Sequence, residues 1–181
     1  MMDFAVLQDF VYSNRVFDSR LHGLSHWRQV EINGLLLAPI TGADVTVVRL
    51  FALFHDCKRE DDGHDSEHGA RGASFAKKCF EERRLEITQE QFDKLYHACS
   101  FHTKELQSDD STVNTCYDAD RLDLGRVGKH LNPIKMATVP GARIAHRSLI
   151  EGVNVYEMRE WIKNLQEQGV FNRGWLEERG E

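Results

Sequence analysis

The stretch Leu50-Phe51-Ala52-Leu53-Phe54-His55-Asp56 constrains this chain more than any other. A run of large apolar side chains demands burial, and this one ends on an imidazole and a carboxylate. Both are costly inside a protein unless something partners them. A metal ion is one such partner. Further candidate donors stand before the run, at His22 and His26, and after it, at His68, His102 and Asp120. The chain reads as a helical shell around a metal site centred on His55 and Asp56.

Apolar spacing supports the shell. Phe4, Leu7, Phe10 and Val11 fall three or four residues apart, which predicts an amphipathic helix over 3–17. A second helix is expected over 25–38 with Ser25 as its N-cap, ended by Pro39, Thr41 and Gly42. Asp44 can cap a third over 44–58, whose core face is Val47, Val48, Phe51 and Phe54. After the charged loop 59–66, Ser66 is placed to cap a helix running to Arg84. Thr88 with Gln91 three positions on is a capping-box pattern, opening a helix that carries Phe92, Leu95, Cys99 and His102. A further helix runs from 112 towards Gly125 or Gly128, and two more span 141–149 and 154–167. The tail holds Phe171 and Trp175, which can pack back. Alternating β-branched runs are scarce, so the expected fold is all-α. The 181 residues suit one domain, 1–181, with the C-terminal part, 141–181, packed on the rest.

Charge and cysteines narrow the function classes. The formal net charge of −6 argues against non-specific nucleic-acid binding and against a membrane-surface role, while leaving room for a small phosphorylated ligand. No apolar run approaches the ~18 residues of a membrane span, and the first residues, with Asp3 and Asp9, lack the basic start of a signal peptide. Cys57, Cys79, Cys99 and Cys116 form no C-x-x-C pair, so they read as reduced thiols of a cytoplasmic chain. Nucleotide-binding glycine loops, H-E-x-x-H and G-x-S-x-G are all missing from the sequence.

Imidazole and carboxylate donors suit Mn, Fe, Co, Ni, Zn or Mg better than a soft metal. His55 and Asp56 would point about 100° apart on a helix, so both reach one ion only if it lies against the helix edge. Each site residue also has a plainer reading. His55 and Asp56 can be a hydrogen-bonded pair ending a helix. Asp120 can be a surface carboxylate paired with Arg121 or Arg126, and Asp118 and Asp123 compete for its role. His22 can mark a turn, and His68 and His102 can be core histidines or supports for a single-ion site. Cys57 is better read as a small buried side chain than as a nucleophile. Lys58 and Arg59 can simply favour a helix C-terminus. His64, His97, His130 and His146 are expected to be solvated.

The segments His26-Trp27-Arg28-Gln29-Val30, Ala52-Leu53-Phe54-His55-Asp56 and Asp118-Ala119-Asp120-Arg121-Leu122-Asp123, in this order, resemble the HD superfamily of metal-dependent phosphohydrolases. The resemblance covers 22–128. It implies that His26, His55, Asp56 and Asp120 ligate a first metal ion. Glu67-His68-Gly69-Ala70-Arg71-Gly72 and Phe101-His102 are similar to segments that hold a second ion in two-metal members. The Gly-Tyr-Pro tripeptide of the cyclic-di-GMP-cleaving branch is missing. His22 stands where cyclic-nucleotide phosphodiesterases of the superfamily carry a general acid.

The implied reaction is hydrolysis of a small phosphate ester, a nucleotide among the candidates, as a monoester or a diester. One divalent ion is expected, with room for a second. The ion lowers the pKa of bound water from about 15.7 towards about 7 and polarises a phosphoryl oxygen. His22, Asp56 and Glu60 are the catalytic candidates, with Glu60 and Asp61 placed to orient a water. Lys58, Arg59, Arg121 and Arg126 could offset phosphate charge. Two other readings of the resemblance are a di-iron oxygenase using the same ligands and a non-catalytic sensor of a phosphorylated ligand.

Overall fold

The structure, a computed structural model, describes residues 2–171. Among them are eight α-helices and no strand: α1 (Phe4–Ser13), α2 (Leu24–Thr41), α3 (Val45–Phe54), α4 (His68–Glu81), α5 (Gln89–Phe101), α6 (Ser111–Arg121), α7 (Val139–Ile150) and α8 (Met158–Glu167). Short 3-10 turns cover Leu124–Val127, Pro133–Lys135 and Val155–Glu157. The all-α expectation holds.

Capping chemistry explains where several helices start. The Asp44 carboxylate accepts from the backbone N–H of Thr46 and Val47, and Thr88 and Gln91 form the reciprocal capping box. Asp3 and Asp110 do the same for α1 and α6. Two expected caps are not caps. Gly23 precedes α2, and the Ser25 hydroxyl instead accepts a hydrogen bond from Arg159 at 2.9 Å. Glu67, not Ser66, precedes α4, and it makes no side-chain capping bond. Pro39 does not end α2. It sits in the last turn, three residues before Gly42, so only one backbone bond is forfeited. The helix expected over 3–17 stops at Ser13, where the Asn14 side chain closes back on the carbonyl of Phe10 at 2.8 Å.

Helix α3 is the hub, packed against α1, α2, α4, α5 and α6. Phe51 and Phe54 are fully buried in the main apolar cluster, each worth about 1.5–3 kcal/mol. Gly34 lets α2 come close: a Cβ there would lie 2.3 Å from Val48 Cγ1. The Asn33 amide donates to the carbonyl of Ala119 at 3.0 Å, tying α2 to α6. A second cluster, including Leu37, Leu122, Ile144 and Ile162, joins α7 and α8 to the rest, and Phe171 packs on it as expected. Trp175 lies outside the described residues.

Candidate metal centre

Five helix ends meet at one place. The first turn of α2 brings His26, and the chain just beyond α3 brings His55 and Asp56. His68 is the first residue of α4, His102 closes α5, and Asp120 lies in the last turn of α6. Helix α3 ends at Phe54 rather than at 58, so Asp56 is not held on the helix circumference. That departure lets both His55 and Asp56 face the same cluster.

The donors form two groups that share Asp56. In the first, His26 Nε2 lies 3.0 Å from His55 Nε2, 3.2 Å from Asp120 Oδ1 and 3.5 Å from Asp56 Oδ2. In the second, His68 Nε2 lies 3.0 Å from His102 Nε2 and 3.1 Å from Asp56 Oδ1. The two carboxylate oxygens of Asp56 thus face opposite groups. His22 Nδ1 approaches Asp56 Oδ2 at 2.9 Å, making a third combination with His26.

Each clustered imidazole is oriented from behind. His55 Nδ1 donates to the carbonyl of Phe51 at 3.1 Å, His102 Nδ1 to that of Cys99 at 2.8 Å, and His68 Nδ1 to that of Asp65. A carbonyl only accepts, so these rings carry hydrogen on Nδ1 and aim the Nε2 lone pair inward. His26 Nδ1 is held in the same sense by the Asp123 carboxylate at 2.8 Å. Asp123 is gripped in turn by Arg159 of α8, whose Nε and NH2 donate at 2.7 and 2.8 Å.

Facing lone pairs and paired carboxylates call for positive charge between them. Without an ion, a proton on His26 supplies it. Burial pulls this imidazole down, but bonds to Asp120, Asp123 and Asp56 outweigh it and raise the pKa to about 10. Burial lowers His55 to about 3, so the facing ring is neutral. Burial pushes Asp56 and Asp120 up, yet the surrounding histidines hold both well below the usual carboxylate range. A divalent cation suits the same place. Ligands about 2.1 Å from a six-coordinate ion stand about 3.0 Å apart, which is the His26–His55 and His68–His102 spacing. The donor set therefore fits a divalent metal.

The sequence profile of the HD domain matches residues 23–125. The chain belongs to the HD-domain family. HD domains bind divalent metals, and the His/Asp groups of this one could hold them. The fold is similar to a solved structure, a "predicted HD superfamily hydrolase" from an uncultured Thermotogales bacterium. That likeness has a TM-score of 0.61 at 20% identity and covers 91% of this chain and 90% of the other. No curated protein sequence matches the chain. Among the described residues, no helix of this HD protein is long and apolar enough to cross a membrane.

The remaining sequence candidates divide. Arg59 is buried, with NH1 3.1 Å from His68 Nδ1 and 3.6 Å from Asp56 Oδ1. Arg126 NH2 lies 3.2 Å from His22 Nδ1. Arg121 is spent on the carbonyls of Glu105, Leu106 and Lys135. Lys58 and Glu60 are not brought to the cluster. Lys58 donates to the carbonyl of Asn14 and sits 4.0 Å over the Phe75 ring, while Glu60 is exposed and lies 3.6 Å from Arg71. A turn follows α3, and it carries Lys58 to the α1 side. His97, expected in solvent, pairs with Glu105 at 2.8 Å. Asp123 stood among three neighbouring aspartates without a mark to single it out. Arg159 lies 36 positions further on, and no spacing rule connects the two.

Proposed function

We propose that this protein hydrolyses a small phosphate ester with a divalent metal. The observation that carries this reading is the pair of donor groups that share Asp56, with their imidazoles locked inward. His26, His55, Asp56 and Asp120 would hold one ion, and Asp56, His68 and His102 a second. When bound, such an ion supplies an acidified water and polarises a phosphoryl oxygen.

The chain's own groups do the rest. Arg59 and Arg126 line a cleft of about 530 Å3 together with His22 and His68, and present guanidinium charge to an entering phosphate. His22 is half-buried at the cleft wall with Nδ1 engaged by Asp56. Its Nε2 is the nitrogen left to protonate a departing alkoxide. Burial of His26, His55, Asp56, His68 and His102 keeps bulk water from most of the cluster. The free, buried thiols suit a reducing compartment, and we place the protein in the cytoplasm.

The test is turnover of nucleotides, diesters and an aryl phosphate by the pure protein loaded with each of Mn, Mg, Fe, Co, Ni and Zn. Hydrolysis with at least one ion is expected, and His22→Asn should cut kcat by roughly a hundredfold or more. Metal-loaded protein that turns over none of these substrates overturns the reading. The shared Asp56 also favours a second reading, a di-iron oxygenase. Two tightly held irons with oxygen consumption would select it.

A further inference from the structure

Beside the metal centre lies a second cavity of about 620 Å3, bounded by His102, the turn after α5, Arg121 and the loop before α7. It shares Thr103, Lys104, Leu124 and Lys129 with the cleft that holds His22 and His68. Sharing these four residues, the two adjoin as an inner lobe, which holds His22 and His68, and an outer lobe, which His102 borders. The outer lobe is lined by Lys104, Lys129, Lys135 and Arg121, in a chain whose net charge is −6. Its acid, Glu105, is already bonded to Tyr117 at 2.9 Å and His97 at 2.8 Å. Lys104 reaches Glu67 at 3.2 Å, and Arg121 serves backbone carbonyls. Among the described residues no carboxylate pairs with Lys129 or Lys135. The inner lobe has acids, but they are engaged: Asp62 accepts from Ser19, and Asp65 holds Arg71 and the N–H of Glu60. Leu106, Leu124 and Met136 give the outer lobe an apolar wall between its cations.

We infer that the outer lobe is a subsite for a second anionic group, so that the substrate is a small phosphate ester whose leaving half carries its own phosphate or carboxylate. This rests on the phosphohydrolase reading above. One phosphate sits over the histidine cluster, while Lys129 and Lys135 hold the other anion. A neutral leaving half would leave two lysines with nothing to bind in a cavity that concentrates positive potential.

Matched compounds that differ by one anion test the subsite: adenosine 5′-monophosphate against adenosine 3′,5′-bisphosphate, and fructose 6-phosphate against its 1,6-bisphosphate and against a carboxylated sugar phosphate. Metal-loaded protein should prefer the dianchored member of at least one pair by roughly tenfold or more in kcat/KM, mainly through KM. The preference should collapse in the Lys129→Gln/Lys135→Gln double variant and weaken with salt. Both lysines are exposed, so the variant should fold, which circular dichroism checks. No preference in any pair, or a preference that the double variant keeps, overturns the subsite. If the protein hydrolyses nothing, calorimetry on the same pairs still decides. Tighter binding of a dianchored member that the double variant loses upholds the subsite and sinks only the hydrolase reading. Equal binding in every pair sinks the subsite.

Discussion

Asp56 ties the two donor groups together, because each of its oxygens faces a different one. Replacing it with alanine should lower bound metal by more than about tenfold, measured by elemental analysis after gel filtration. Undiminished occupancy would refute the convergence of donors. His102→Ala should be milder, removing a second equivalent of metal and leaving the first. The cysteines make a separate point. All four are buried, and burial raises the pKa of Cys57, Cys99 and Cys116 far above that of a free thiol. A thiol-labelling reagent should therefore leave the native protein essentially unmodified and react with all four in denaturant. Rapid native labelling of Cys57 would return it to the list of reactive groups.

Helix ends, more than helix faces, build this centre, and their mutual placement depends on a few contacts. A Cβ at Gly72 would meet the Phe54 carbonyl oxygen at 2.3 Å, so this glycine allows α4 to lie against the end of α3. Gly72→Ala should destabilise by about 1–3 kcal/mol in urea unfolding. Asp118 accepts from Ala137 N, Thr138 N and Thr138 Oγ1 at 2.7, 2.8 and 2.6 Å, and so moors the start of α7 on α6. Asp118→Ala leaves buried donors unmet and should cost about 2–4 kcal/mol. Helix α8 reaches the candidate metal centre from outside the matched family region, through Arg159, Asp123 and His26. Arg159→Gln should weaken metal affinity by about 10–100-fold while helical content stays unchanged. The same affinity in the variant would reduce Arg159 to a packing residue. At this level the sequence was partly legible. Asp44 and Thr88 cap because an acceptor side chain meets free N–H groups within the same few residues. Ser25 does not cap, because α2 already begins at Leu24 and leaves it inside the first turn, where its hydroxyl accepts from the distant Arg159.

The molecule as a whole should respond to acid through its carboxylates. Burial pushes Asp110 up, but the N–H of Val113 and Lys94 outweigh it and hold it below the ordinary value. Glu105 is likewise raised by burial and brought lower by His97 and Tyr117. A group with a depressed folded pKa adds stability above its unfolded value, and that stability is lost as pH falls through the folded value. The unfolded values lie at about 4. The part of the acid fall in Tm that lies below about pH 4 should therefore be shallower in Asp110→Asn than in the parent protein. Equal acid slopes in both proteins would remove Asp110 from that account.

Much of this protein was written in local pattern. Helical periodicity follows from apolar spacing, and caps follow from neighbours a few residues away. The ligand candidates His26, His55, Asp56, His68, His102 and Asp120 could be picked from residue type, order and a family likeness. Placement of charge could not. Lys58 and Arg59 are adjacent, yet one leaves towards Asn14 and the other lies against His68 and Asp56. The turn after α3 separates them, and its shape is set by packing against α1 and α4. Asp123 and Arg159 acquired their roles in the same way. A hydrogen bond between residues far apart in the chain depends on how helices stack, and stacking energy is summed over many contacts that no short stretch of sequence contains.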